Sequence, residues 1–211
     1  MYISKIHLDG RKRKTALSLS NRELLHAAIE SSAEGERPHI LWRIEPADMS
    51  VILVSKETPR LDSVQKQFGN ERIDVVTKPY DTYVDSISDG DLMRFKIEVN
   101  PVVNVKNGKK NGSDVPLNLR RTKDQPFSAE DWTVKKLTEN GSDVISIKDV
   151  RHEQTYFVKQ GKRIPLFTVT YSGVFRVKDA EAVKRAMKNG IGGKKTYGCG
   201  LLSAVRIGKT C

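Results

Sequence analysis

The order in which short apolar strands and amphipathic helices follow one another constrains this chain more than any single residue does. The series starts with a strand over residues 2–8, where Ile3, Ile6 and Leu8 are apolar. A basic loop, Arg11-Lys12-Arg13-Lys14, leads to a helix expected over residues 21–32 with Ser20 as its N-cap. Strands over 39–45 and 51–55 flank the turn Pro46-Ala47-Asp48, and a helix near 61–68 and a strand near 72–78 close the set. The second half repeats the order. A long strand over 92–105 precedes a helix over 129–138 entered from Ser128, then a hairpin of 144–158 and 164–177 turned at Gln160-Gly161. A helix over 180–189 capped by Asp179 and a strand over 201–207 finish it.

Strand–helix–strand–strand–helix–strand is the ferredoxin-like plan, in which one face of an antiparallel sheet is covered by two helices. The expected fold class is therefore α+β: two tandem ferredoxin-like domains with antiparallel sheets, spanning residues 1–84 and 91–211. The boundary falls in a polar, turn-rich link over residues 80–91 that contains Asp81, Asp85, Asp89 and Gly90. The duplication is one of element order, without visible identity between the halves.

Thirty-seven Lys and Arg against 26 Asp and Glu leave a net charge of +11. Such an excess attracts polyanions through phosphate contacts, and ribosomal or DNA-binding proteins share it. No stretch approaches the ~18 apolar residues of a membrane span, and MYISKIHLDG lacks a signal-peptide core, so no membrane partner and a cytoplasmic location are expected. Cys199 and Cys211 form no C-x-x-C pair, and His7, His26, His39 and His152 are scattered, so neither a metal site, another cofactor nor a disulfide framework is expected. Residues 106–123 carry Lys106, Lys109, Lys110, Arg120, Arg121 and Lys123 beside Asn-Gly turns; a solvated loop and an RNA-contacting loop are both compatible with that composition.

Between the last helix and the last strand lies NGIGGKKTYGCGLL, residues 189–202, with five glycines in the eleven positions from Gly190 to Gly200. Gly190 reads as a helix C-cap. Gly192, Gly193, Gly198 and Gly200 exceed what a cap needs. They suit positive φ and close backbone approach, and successive N–H groups with Lys194 and Lys195 would make an anion-binding concavity. The spacing G-x-x-x-x-G-K-S/T is absent, and the helix precedes the loop rather than following it, which excludes nucleotide P-loop and dinucleotide readings.

Several tracts carry a resemblance: residues 1–5, Leu41-Trp42-Arg43-Ile44-Glu45-Pro46, Arg94-Phe95-Lys96-Ile97-Glu98-Val99-Asn100-Pro101, Val115-Pro116-Leu117, and Gly198-Cys199-Gly200-Leu201-Leu202-Ser203. With the glycine-rich loop before the last strand, the chain resembles the CasE family, repeat-RNA endoribonucleases of type I-E CRISPR systems. The resemblance implies metal-independent cutting of CRISPR repeat stem-loop RNA, turning pre-crRNA into crRNA with a 2′,3′-cyclic or 3′-phosphate end. It also implies that the product is kept and that the partners are crRNA and other Cascade subunits.

Metal-independent cutting uses the substrate 2′-hydroxyl as nucleophile and needs alignment, proton transfer and charge stabilisation. Histidine suits the proton step because its ordinary pKa is ~6.5. Leu24, Leu25, Ala28 and Ile29 mark the buried stripe of the first helix. At about 100° per residue His26 falls roughly 130° from the stripe's centre, off the packed core. Geometry alone leaves a solvated surface histidine as the simpler account. The resemblance implies catalysis, because the family carries its catalytic histidine here in a Leu-His pair like Leu25-His26.

Family members often place a tyrosine three residues before that histidine, where this chain has Glu23. Glu23 reads either as an assisting catalytic group or as the last member of a capping box Ser20-Asn21-Arg22-Glu23. Arg22 and Glu30, each four residues from His26, share its face; Arg22 is a candidate phosphate ligand, and Glu30 would favour a protonated imidazole. The segment Val158-Lys159-Gln160-Gly161-Lys162-Arg163 resembles the family's basic hairpin, which makes Lys159, Lys162 and Arg163 candidates for contact with the RNA stem. Lys184, Arg185 and Lys188 on the last helix are candidates to extend that track. A non-catalytic RNA-binding subunit of the same superfamily, and a ribosomal-type scaffold, are the competing readings. His26 off the core favours catalysis, and the missing tyrosine favours the non-catalytic subunit.

Overall fold

Why the chain forms two sheets is visible in which side chains leave water. In the computed structural model, which describes residues 1–32, 39–105, 113–118, 122–124, 126–159 and 161–209, the first set runs β1 (Tyr2–His7), α1 (Arg13–Ser20), α2 (Arg22–Glu30), β2 (Ile40–Glu45), β3 (Ser50–Ser55), α3 (Asp62–Phe68) and β4 (Val76–Pro79). The strands pair antiparallel in the order β2-β3-β1-β4. Leu25, Ala28 and Ile29 of α2 and Val64 and Phe68 of α3 pack on Ile6, Trp42, Val51 and Leu53 of the sheet.

The chain continues through α4 (Asp81–Asp85), β5 (Asp91–Val99), β6 (Val102–Val105), β7 (Ser113–Pro116), α5 (Ala129–Glu139), β8 (Ser142–Lys159), β9 (Lys162–Val177), α6 (Ala180–Asn189) and β10 (Ser203–Lys209). The second sheet is antiparallel in the order β10-β5-β9-β8, and β6 and β7 form a separate ribbon. In both sheets the first and third strands of the set lie in the centre and the second and fourth at the edges. That is the ferredoxin-like order, and the α+β class follows as expected. Among the described residues no helix is long and apolar enough to cross a membrane.

Four local expectations are corrected. Residues 13–20 form a helix, α1, rather than a loop. Its inward face is polar: Thr15 and Ser18 are buried, with Thr15 Oγ1 donating to the Phe68 carbonyl at 2.9 Å, so no apolar period announced it. With α1 in place, Ser20 donates back to the Leu17 carbonyl (3.1 Å), and Asn21 caps α2 by accepting from the Glu23 N–H at 3.2 Å. The capping box therefore does not form. The expected strand over 92–105 breaks after Val99, where Asn100 turns inward to donate to the Phe167 carbonyl (2.6 Å) and Pro101 has no N–H to continue a ladder. The segment expected as a polar link carries α4, and Tyr80, Val84 and Ile87 from it are buried in the core of the second sheet.

Two arginines tie the sheets together. Arg22 of α2 has no exposed surface; its Nη2 lies 3.0 Å from Glu98 of β5 and 2.7 Å from Glu153 of β8. Arg43 of β2 donates Nη1 to the carbonyls of Leu201 (2.9 Å) and Lys96 (3.1 Å), and Nη2 to Ser203 Oγ (3.2 Å). A buried charge is costly unless paired, so removing one partner is expensive. Arg22→Ala is expected to destabilise the fold by about 3 kcal/mol, measured as a lower urea midpoint with an unchanged slope.

Candidate active site

His26 projects from α2 one turn after Arg22, at the rim of the joint that Arg22 closes. Its side chain is 16% exposed, with Nε2 3.5 Å from Glu30 Oε2. Arg22 does share His26's face, but that face meets the second sheet. A side chain with no accessible surface is not placed to meet a phosphate, so the expected role of Arg22 is corrected to a structural one.

The opposite wall is the glycine-rich tract. Gly190 (φ 72°) ends α6, and Ile191 N–H donates to the Gly200 carbonyl at 2.9 Å, closing the loop on itself. Lys194 takes a left-handed conformation (φ 57°) into a 3-10 turn, Lys195–Tyr197, and Gly198 (φ 87°) leaves it. Trp42 holds this turn: its Nε1 donates to the Thr196 carbonyl at 3.1 Å, and its ring lies where a side chain at Gly198 would sit, 2.9 Å from an added Cβ. The turn thereby delivers Tyr197 to His26, with ring centroids 5.3 Å apart at 73°. Phe157 of β8 stacks on Tyr197 at 4.0 Å and 16°, and the Lys194 ammonium stands 5.3 Å from the Phe157 ring centre.

Electrostatically the pocket is acidic beside an uncharged phenol. Burial, then the charges of Glu23 and Glu30, hold the Tyr197 hydroxyl above its usual pKa. Glu23 Oε2 is buried without a hydrogen-bond partner. Cys199 is fully buried, which pushes its thiol up and leaves it inert. Among the described residues no group of three or more His, Cys, Asp or Glu is arranged to hold a metal ion.

Comparison with known proteins decides the family. A profile described as CRISPR associated protein matches residues 1–206. The chain belongs to this CRISPR-associated family. It is 25% identical to the CRISPR system Cascade subunit CasE of Escherichia coli over 168 residues, covering 78% of each chain. It is also 25% identical to the CRISPR-associated endoribonuclease Cse3 of Thermus thermophilus over 223 residues, covering 96% of this chain and 99% of that one. A solved structure of CRISPR endoribonuclease Cse3 bound to a 19-nucleotide RNA shares the fold, with a TM-score of 0.78 at 21% identity, over 97% of this chain and all of that one.

Within this CRISPR-associated chain, the predicted site residues do not all come together. His26, Glu23 and the tract converge, as described. Gly192, Gly193 and Lys194 form an exposed lip, whereas Gly198 and Gly200 are buried. Their N–H groups are spent on the carbonyls of Lys195 (3.2 Å) and Glu98 (2.7 Å), so the expected anion cradle is corrected at those two positions. Lys195 reaches back to the Asn189 carbonyl at 2.8 Å, tying the end of α6. On α6, Lys184 pairs with Glu181 (2.8 Å), and Lys188 with Asp85 (2.8 Å) and Asp81 (3.2 Å). Those lysines, expected to extend an RNA track, instead tie their own helix and the segment around α4.

Lys162 and Arg163 are exposed at the tip of the β8–β9 hairpin, Arg163 lying 4.8 Å from the centre of the Tyr156 ring. The strands pair Lys159 with Lys162, while the Lys159 side chain lies outside the described residues. Lys106, Lys109, Lys110, Arg120, Arg121, Gln160 and Cys211 also lie outside them.

Tyr197, Phe157 and Trp42 were not singled out from the sequence. Tyr197 stood in the quoted tract, but a tract rich in glycine directs attention to its backbone. Gly198→Ala places a Cβ against the Trp42 ring in a left-handed backbone; a loss of about 1–3 kcal/mol is expected in urea unfolding, together with a shifted Trp42 fluorescence maximum.

Proposed function

We propose that this chain is a metal-independent endoribonuclease that cuts CRISPR repeat stem-loop RNA, using the substrate 2′-hydroxyl as nucleophile. The observation that carries the reading is the meeting of His26 with the glycine-rich tract, three-quarters of the chain away. A titratable ring at a half-buried rim, in reach of an exposed basic lip, is the arrangement proton transfer at a phosphodiester requires. His26 exchanges protons with the 2′-oxygen or the leaving 5′-oxygen. Lys194, the exposed lysine of the lip, meets the backbone charge, and the lip glycines Gly192 and Gly193 allow the RNA close approach.

The names of the relatives support the rest. One is an endoribonuclease and another a Cascade subunit, and we extend both roles to this chain: it cuts pre-crRNA, leaves a 2′,3′-cyclic or 3′-phosphate end, and keeps the crRNA within Cascade. The exposed Lys162 and Arg163 sit on the hairpin tip, where a stem's phosphates would be met.

Incubation with repeat RNA in EDTA tests the chemistry. Cleavage is expected to persist in EDTA and to stop when the nucleotide before the cut is 2′-deoxy. His26→Ala is expected to slow it by about 10²–10⁴-fold; full activity in His26→Ala overturns the assignment. In Lys194→Ala, binding should weaken and the slope of log K against log salt should fall by about 1. An unchanged slope would remove Lys194 from the phosphate contacts.

A further inference from the structure

His26 sits on a single helix, and nothing in α2 itself sets the rotation of its imidazole. Glu30 approaches one nitrogen at 3.5 Å, but Glu30 is an exposed side chain. The contact from the other side is different in kind. Tyr197 is pinned from three directions: Phe157 covers one ring face at 4.0 Å, Trp42 holds the preceding carbonyl, and Gly198 is pressed on Trp42 behind it.

The charge of Glu23, three residues before His26 on the same helix, helps hold the Tyr197 hydroxyl above its usual pKa. Loop, helix and hairpin thus converge on one phenol.

We propose that Tyr197 is a positioning residue for His26: its ring, stacked on Phe157, sets the plane of the imidazole. General acid–base groups lose much of their effect when displaced by about 1 Å, so a packed aromatic neighbour is worth more than an exposed carboxylate. The aromatic ring arrives from the far end of the chain. This rests on the cleavage role proposed for His26.

The test is single-turnover cleavage of repeat RNA by the full chain, with affinity for uncleavable 2′-deoxy RNA measured in parallel. Tyr197→Leu is expected to slow cleavage by about 10- to 100-fold while leaving affinity unchanged. Tyr197→Phe keeps the ring and should give a smaller loss. In NMR spectra the carbon-bound His26 ring protons should lose their ring-current shift in Tyr197→Leu and keep it in Tyr197→Phe.

A wild-type rate in Tyr197→Leu, or a rate loss matched by an equal loss of affinity, would overturn the proposal. If wild type fails to cut, or His26→Ala cuts normally, the cleavage reading fails instead. The ring-current shift then still decides whether Tyr197 orients the imidazole: its presence in wild type and loss in Tyr197→Leu sustain the positioning, and its absence in wild type ends it.

Discussion

The structure depends on a buried charge. Arg22 is removed from water on α2 and is tolerable there because Glu98, itself fully buried, and Glu153 accept its guanidinium. Those partners belong to β5 and β8, so pairing this one charge docks the first sheet's helix layer on the second sheet. Arg43 repeats the device from β2, donating to carbonyls of the Lys96 and Leu201 backbone. The two units do not meet through apolar surface alone; directional bonds fix their relative position, as a site shared between them requires.

His26 inherits its place from that joint. It lies one helical turn beyond Arg22, so locking Arg22 inside puts His26 at the rim. The glycines complete the arrangement from the other side. Gly198 lets the chain lie on the Trp42 ring, and Gly200 (φ 85°) lets it close on the Ile191 carbonyl, where an added Cβ would come within 2.5 Å. The tract is thus a device for presenting Tyr197 and Lys194, with its backbone largely spent on itself and only its outer lip open.

Charge is divided in the same way. A net charge of +11 suggests a broadly basic surface, yet Arg22, Arg43, Lys188 and Lys195 are engaged by acids and carbonyls of other segments, and Lys184 by Glu181 of its own helix. Lys194, Lys162 and Arg163 are the exposed cations at the lip and the hairpin tip. Composition counts both kinds alike, which is why Arg22 reads as a phosphate ligand until its burial is known.

The sequence by itself determined the architecture, because strand and helix periods survive in any local window: Val51 to Ser55, Ala180 to Asn189 and the β8–β9 hairpin were legible from spacing. Helix α1 was not, because Thr15 and Ser18 pack a polar face through hydrogen bonds that carry no apolar period. The candidate site was legible as separate parts, His26 on its helix and the glycines on their loop. Only the tertiary structure decided that they meet, that Tyr197 is the side chain at the meeting point, and that the face shared by Arg22 and His26 turns toward protein rather than solvent. A helical period reports which residues share a face. What covers that face is set by long-range pairing, here Arg22 with Glu98, which no local pattern encodes.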